Sequence, residues 1–130
     1  MTTKHLVLFL SLFYFGCTQQ NNSPCLLHAI YDSGSSGCSF YFRKDGTFEW
    51  ANGGGLGGGT TEGKYTINGD IITLNKIGFD RVIKSERLLI TSTHPNSLSS
   101  GTFLIQVDKE NKLIDSMFIF TVNIDKRDGE

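Results

Sequence analysis

The feature that most constrains this chain is an alternation of apolar and polar residues with period two, recurring in short bursts from Leu26 to Ile124. Successive side chains of an extended strand point to opposite faces, so each burst buries one face and wets the other. Beyond the first 16 residues, no stretch of ten or more carries a 3.6-residue apolar stripe, which argues against a helical domain. Phe40 and Phe42 share one face, with Tyr41 and Arg43 on the other. Lys44-Asp45-Gly46 supplies a tight turn, and the returning run sets Phe48 and Trp50 against Thr47 and Glu49. A hairpin is predicted here.

The same reading continues down the chain. Glu62 to Ile67 is expected to turn Tyr65 and Ile67 inward, Asn68-Gly69-Asp70 to reverse the chain, and Ile71 to Leu74 to bury Ile72 and Leu74. Phe79 to Lys84, Arg87 to Ser92 (Leu88 and Ile90 inward) and Thr102 to Asp108 (Phe103, Ile105 and Val107 inward) read as strands. So does a long final run from Leu113 to Ile124. It carries Ile114, Phe118, Phe120, Val122 and Ile124 on one face and Met117 and Ile119 on the other, a pattern suited to cover on both sides. Eight or nine strands in roughly 100 residues predict an all-β fold, a small antiparallel barrel or sandwich over residues 25–125. Lys126 to Glu130 is expected to be a frayed polar tail.

Two segments carry a family resemblance. Phe42-Arg43-Lys44-Asp45-Gly46-Thr47-Phe48, followed by Glu62-Gly63-Lys64-Tyr65-Thr66-Ile67-Asn68-Gly69-Asp70-Ile71-Ile72-Thr73-Leu74, resembles small bacterial lipocalin-like domains. The likeness covers residues 40–75 well and the remainder as strand rhythm. It implies a meander barrel, and with it a small apolar ligand held between the sheets. Phe42, Phe48, Trp50 and Tyr65 are the candidate lining residues, although aromatic side chains like these also build cores. The motif is mostly turn chemistry and core aromatics, so it speaks for fold before activity.

The N-terminal region has a different character. Lys4 opens it, Leu6 to Phe15 is an uncharged run of ten residues, and Gly16-Cys17 is followed by the polar Thr18-Gln19-Gln20-Asn21-Asn22-Ser23-Pro24. A membrane-spanning helix needs about 20 apolar residues, so the run suits an export signal instead. The apolar run, small residue, cysteine and polar leader together resemble a bacterial lipoprotein signal. That resemblance implies cleavage after residue 16, diacylglycerol on the Cys17 sulfur, acylation of the new amino terminus, and a tether over residues 17–24. An ordinary secretory signal shares the same logic and stays open. Three acyl chains would anchor the domain stably, with the outer membrane expected over the inner.

Exported cysteines commonly pair, so Cys25 and Cys38 are expected to form a disulfide worth about 3 kcal/mol in the chain-entropy model. Cys25 and His28 have ligand-like spacing, with Cys38 and His94 as completing ligands. Zinc sites, however, usually combine two compact pairs, and Cys38 and His94 are isolated. No metal or cofactor is therefore expected.

Other chemistries find no constellation. Gly58 to Lys64 matches G-x-x-x-x-G-K, but Tyr65 replaces the magnesium-binding hydroxyl and a strand follows where a helix is needed. Gly53-x-Gly55-x-x-Gly58 likewise opens no helix. A net charge of −1 offers no basic field for nucleic acid. There is no nucleophile elbow, and Glu49 and Glu62 facing each other across strands read as solvated surface. An enzyme is not expected. Gly53 to Gly59 reads as a flexible loop, with a recognition loop as the functional alternative. The function expected is a lipid-anchored envelope module that binds a small apolar ligand, with an envelope protein-interaction scaffold, inhibitor or assembly subunit as the alternative. An interior cavity of several hundred Å³ would mark the first, and a filled core the second.

Overall fold

A computed structural model describes residues 22–32, 37–53, 59–78 and 81–129. They form eight antiparallel strands: β1 (Cys25–Asp32), β2 (Gly37–Arg43), β3 (Thr47–Asn52), β4 (Gly59–Asn68), β5 (Ile71–Leu74), β6 (Arg87–Thr91), β7 (Phe103–Val107) and β8 (Phe120–Asp125). Each strand pairs with the next in sequence, and β8 pairs with β1 to close the barrel. Closure removes the free sheet edges that an open meander would expose. The all-β antiparallel fold is as expected, and of the barrel and sandwich left open by the sequence it is the barrel.

The β2–β3 hairpin matches its sequence closely. Gly46 takes φ of +85° and its N–H donates to the Arg43 carbonyl at 3.1 Å. The Asp45 carboxylate accepts from the Thr47 N–H and hydroxyl at 3.0 and 2.6 Å. Register then pairs Phe42 with Phe48 and Phe40 with Trp50. On β4, Gly63 sits opposite Phe48, and a Cβ placed there would lie 2.5 Å from the Phe48 ring. The missing side chain lets that ring lie across the β4 backbone.

The interior is built of rings. Phe40, Phe42, Phe48 and Phe120 are fully buried, and Trp50 nearly so. Phe40 stands centrally, with ring centroids 5.2 Å from Phe42, 6.1 Å from Phe48, 4.7 Å from Trp50 and 5.5 Å from Phe120. Leu27, Ala29, Ile72, Leu74, Ile83, Leu88, Ile90 and Leu104 complete this core.

Several sequence expectations need correction. The inward face of β7 is Leu104 and Gln106, which pair with the buried Ile90 and Leu88. Phe103, Ile105 and Val107 point outward but are still buried. His94 packs edge-on against Phe103, and Leu113 bridges to Val107. The strand covered on both faces is therefore β7 and not the last one.

Residues 81–84 form no strand, and Phe79 and Asp80 lie outside the described residues. Their neighbours bury apolar side chains as a strand would, but the backbone finds a side-chain partner. The fully buried Gln106 accepts from the Lys84 and Ser85 N–H groups at 2.6 and 3.2 Å and donates to the Val82 carbonyl at 2.8 Å. The last strand begins only at Phe120. Ahead of it, Asp115 is the buried residue, paired with the Lys84 ammonium at 2.6 Å, while Ile114 and Met117 are exposed. Ile67 has the inward side but stays 36 % exposed, because β4 continues past its last β3 partner, Lys64, towards the open rim.

Lys126 and Arg127 are held rather than frayed, and Glu130 of the expected tail lies outside the described residues. The Lys126 N–H donates to the Leu26 carbonyl at 2.8 Å, and Arg127 pairs with Asp125 and with Asp70 of the β4–β5 turn.

The expected Cys25–Cys38 bridge is not formed, and among the described residues there is no disulfide. Cys25 sits opposite Arg43 and Cys38 opposite Tyr31, at the two ends of one hairpin. Five residue steps along the extended β2 separate Arg43 from Cys38, about 17 Å at the usual strand rise. A disulfide requires Cα atoms within roughly 7 Å.

Candidate functional site

The four aromatic residues expected to line a ligand site face inward, against one another. Phe42 lies 6.3 Å from Phe48 and 5.0 Å from Tyr65 between ring centroids. The Tyr65 hydroxyl donates to the Arg43 carbonyl at 2.6 Å, which satisfies its polar end inside the core. Burial and the nearby Asp45 carboxylate raise its pKa above the ordinary phenol value. These side chains fill the barrel.

Concavity appears on the outside of β1, β2 and β3. Register places three cross-strand rows there. His28, Tyr41, Glu49 and Glu62 form one row of large side chains. Ile30, Ser39, Ala51 and Thr60 form the next, mostly of short ones. Beyond them Gly37 and Gly53 meet backbone to backbone, with the Gly53 N–H donating to the Gly37 carbonyl at 2.8 Å. A tall row, a short row and a bare glycine pair leave a groove of about 420 Å³, with His28, Ile30, Ser39, Tyr41 and Ala51 among its walls.

His28 is the unusual member. It lies on the outer face yet is only 7 % exposed, stacked on Tyr41 with ring centroids 3.9 Å apart and planes 17° from parallel. Burial pushes its pKa below the ordinary 6.5, opposed in part by Asn123 at the β1–β8 bulge. Nε2 is buried and has no hydrogen-bond partner among the described residues. A buried polar atom without a partner costs about 1–3 kcal/mol.

At the far end of this row, Glu49 and Glu62 are direct partners across β3 and β4, as the sequence suggested. Arg43 holds Glu49 at 2.5 Å. Glu62 is exposed and has no ion pair among the described residues.

The remaining candidates are dispersed. Cys25 is half-buried at the foot of β1, where burial raises its thiol pKa, and Cys38 belongs to the core. His94 accepts from the Asn96 N–H through Nδ1 at 3.0 Å in the β6–β7 connection. Among the described residues no three His, Cys, Asp or Glu side chains gather as metal ligands. The G-x-x-x-x-G-K match falls in β4 from Gly59 onward. Cys17 and residues 54–58 of the glycine run lie outside the described residues. Sequence reading had placed His28 only as a possible metal ligand. Its true setting depends on Asn123, 95 positions away, which no local pattern signals.

The chain matches no family model, no curated protein and no solved structure.

Proposed function

We propose that this protein is an envelope lipoprotein, anchored through Cys17, whose barrel is a solid scaffold that engages another envelope protein with its outer surface. The observation that supports this most is the filled interior. Phe40, Phe42, Phe48, Trp50 and Phe120 occupy the space a calyx would leave for its ligand. A groove of small-ligand size opens outward instead, beside the buried His28. The anchor rests on the signal-like N-terminal segment and on the polar run that follows Cys17.

Two measurements test this reading. Cys17→Ser should release the protein from the membrane fraction, whereas unchanged retention contradicts the anchor. Native mass spectrometry of protein purified from its own host should show the acylated mature mass, alone or in a protein complex, with no further small molecule. A stoichiometric small hydrophobic molecule contradicts the solid scaffold.

A further inference from the structure

Closure by β8 joins the first strand to the last but leaves one stretch inside the meander bare along one side. β4 runs from Gly59 to Asn68, and β5 pairs with it only from Tyr65 to Asn68. The backbone groups of successive residues in a strand turn alternately to its two neighbours. Lys64 faces the β5 side. Its N–H donates to the Asn75 Oδ1 and its carbonyl accepts from the Asn75 N–H, both at 2.9 Å. Gly63 admits this cap, since a Cβ there would lie 2.8 Å from the same oxygen. Beyond the cap, Glu62 and Thr60 turn their N–H and C=O groups the same way as Lys64. Both residues are exposed, and among the described residues nothing pairs with those four groups. Backbone donors and acceptors set out in this geometry are a template for one more strand.

The side chains of the same two residues select what pairs there. Register puts them on the outer face, Glu62 beside Glu49 and Thr60 beside Ala51. An added strand would continue these rows at about 4.8 Å. Arg43 already holds Glu49, whereas Glu62 has no ion pair among the described residues. A second copy paired antiparallel about Thr61 would bring two Glu62 carboxylates diagonally together on one face, with a Glu49 behind each. Like charges so placed oppose the pairing. A basic side chain in the same place relieves the carboxylates instead, so charge complementarity favours a different chain over a second copy.

We propose that the edge of β4 from Gly59 to Gly63 takes an extended segment of a partner protein as an added antiparallel strand, with a Lys or Arg of that segment set against Glu62. The backbone supplies the attachment and Glu62 supplies the selection. The inference deepens the outer-surface reading and rests on it.

The probe is the capped peptide acetyl-Thr-Val-Lys-Val-Thr-amide, titrated into the mature protein while backbone amides are followed by NMR. The Thr60 and Glu62 amide protons should move downfield and saturate, while those of β1 and β8 stay in place. A methyl group on the Lys backbone nitrogen, which faces β4 in this pairing, should weaken binding roughly tenfold or more. The same methyl on the Val that follows faces away and should change it less than about twofold. Glu62→Gln should weaken binding roughly two- to threefold at low salt and change little at high salt. Thr60→Pro removes an N–H that takes no part in the β3 ladder, so it should abolish binding with the barrel intact. Should that variant fold poorly, the methylated peptides make the same test without altering the protein.

Equal binding of the two methylated peptides overturns the proposal, as does the reverse order or an unmoved Thr60 and Glu62. A concentration-dependent dimer that Thr60→Pro abolishes also overturns it, because the edge then belongs to a second copy. Membrane release and the native mass test the anchor and the solid scaffold separately, so failure here is distinguishable from failure of that reading.

Discussion

The two halves of this barrel are assembled by different means. From β1 to β4 the strands run six to ten residues, and the β2–β3 hairpin has paired positions from Cys38↔Asn52 through Phe42↔Phe48. Its core side chains are largely aromatic. From β5 to β8 the strands run four to six residues, and β7 and β8 share only two register pairs. The connections there are long, over residues 75–86, 92–102 and 108–119, and the strands contribute mainly aliphatic core residues. What backbone ladders do in the first half, single polar side chains do in the second. Gln106 holds residues 82–85, and the Ser85 hydroxyl donates to the Val107 carbonyl at 2.6 Å. Asp115 closes on Lys84. A barrel can thus be closed by side-chain staples where its strands are too short to close it alone.

The contrast is tested first where the effect is largest. Phe40→Ala removes the ring that touches four others, and a loss of about 3–5 kcal/mol is expected in denaturant unfolding. A loss below 1 kcal/mol would mean that the aromatic half is loosely packed. Gln106→Leu keeps the volume but strips partners from Lys84, Ser85 and Val82, for an expected cost of about 2–3 kcal/mol. Hydrogen exchange should then quicken over residues 81–86 while the amides of β2 and β3 stay protected. Uniform acceleration would erase the distinction between the halves.

A smaller effect is expected with acid. His28 is buried neutral with its pKa below 6.5, so between that lowered value and 6.5 the unfolded chain takes up a proton the folded chain refuses. Stability should therefore fall as pH drops through 6.5 and level off beneath the lowered value. His28→Gln should flatten this part of the profile, measured as urea midpoints. Asp115 acts lower on the scale, in the staple-held half. Lys84 and the Met117 N–H hold its carboxyl below the ordinary 3.8, so its contribution is present above that value and lost as pH falls further. The smallest effect belongs to the thiols. Cys25 and Cys38 should alkylate in denaturant without prior reduction, and a reductant should leave the Tm unchanged; masses that demand reduction would restore the bridge.

How much of this was legible in the sequence follows the same division. In β2 and β3 the alternation, Asp45-Gly46 and the apolar register are all local, and strand, turn and facing residues follow directly from them. In the second half the decisive contacts span 21 to 31 positions, as in Gln106 with Lys84 and Asp115 with Lys84. Alternation misled there because loops cover the outer face of β7, so Phe103, Ile105 and Val107 are as apolar as a core row while facing away from the core. The disulfide expectation failed on geometry. Compartment and cysteine count say that thiols would pair if they met, but only register says whether they meet. Of the outer groove, the sequence showed the outward side of Tyr41 and the Glu49–Glu62 pairing. It did not show the burial of His28, which comes from barrel closure by β8.

The most direct test of the solid scaffold uses Trp50, the single tryptophan of the chain, which is 2 % exposed among the core rings. Titration with a bromine-substituted fatty acid, whose heavy atoms quench indole fluorescence on contact, reports whether an apolar chain can enter the barrel. A filled interior predicts blue-shifted Trp50 emission that the acid leaves unquenched. Saturable quenching at one equivalent per barrel would contradict it and return the molecule to the ligand carriers.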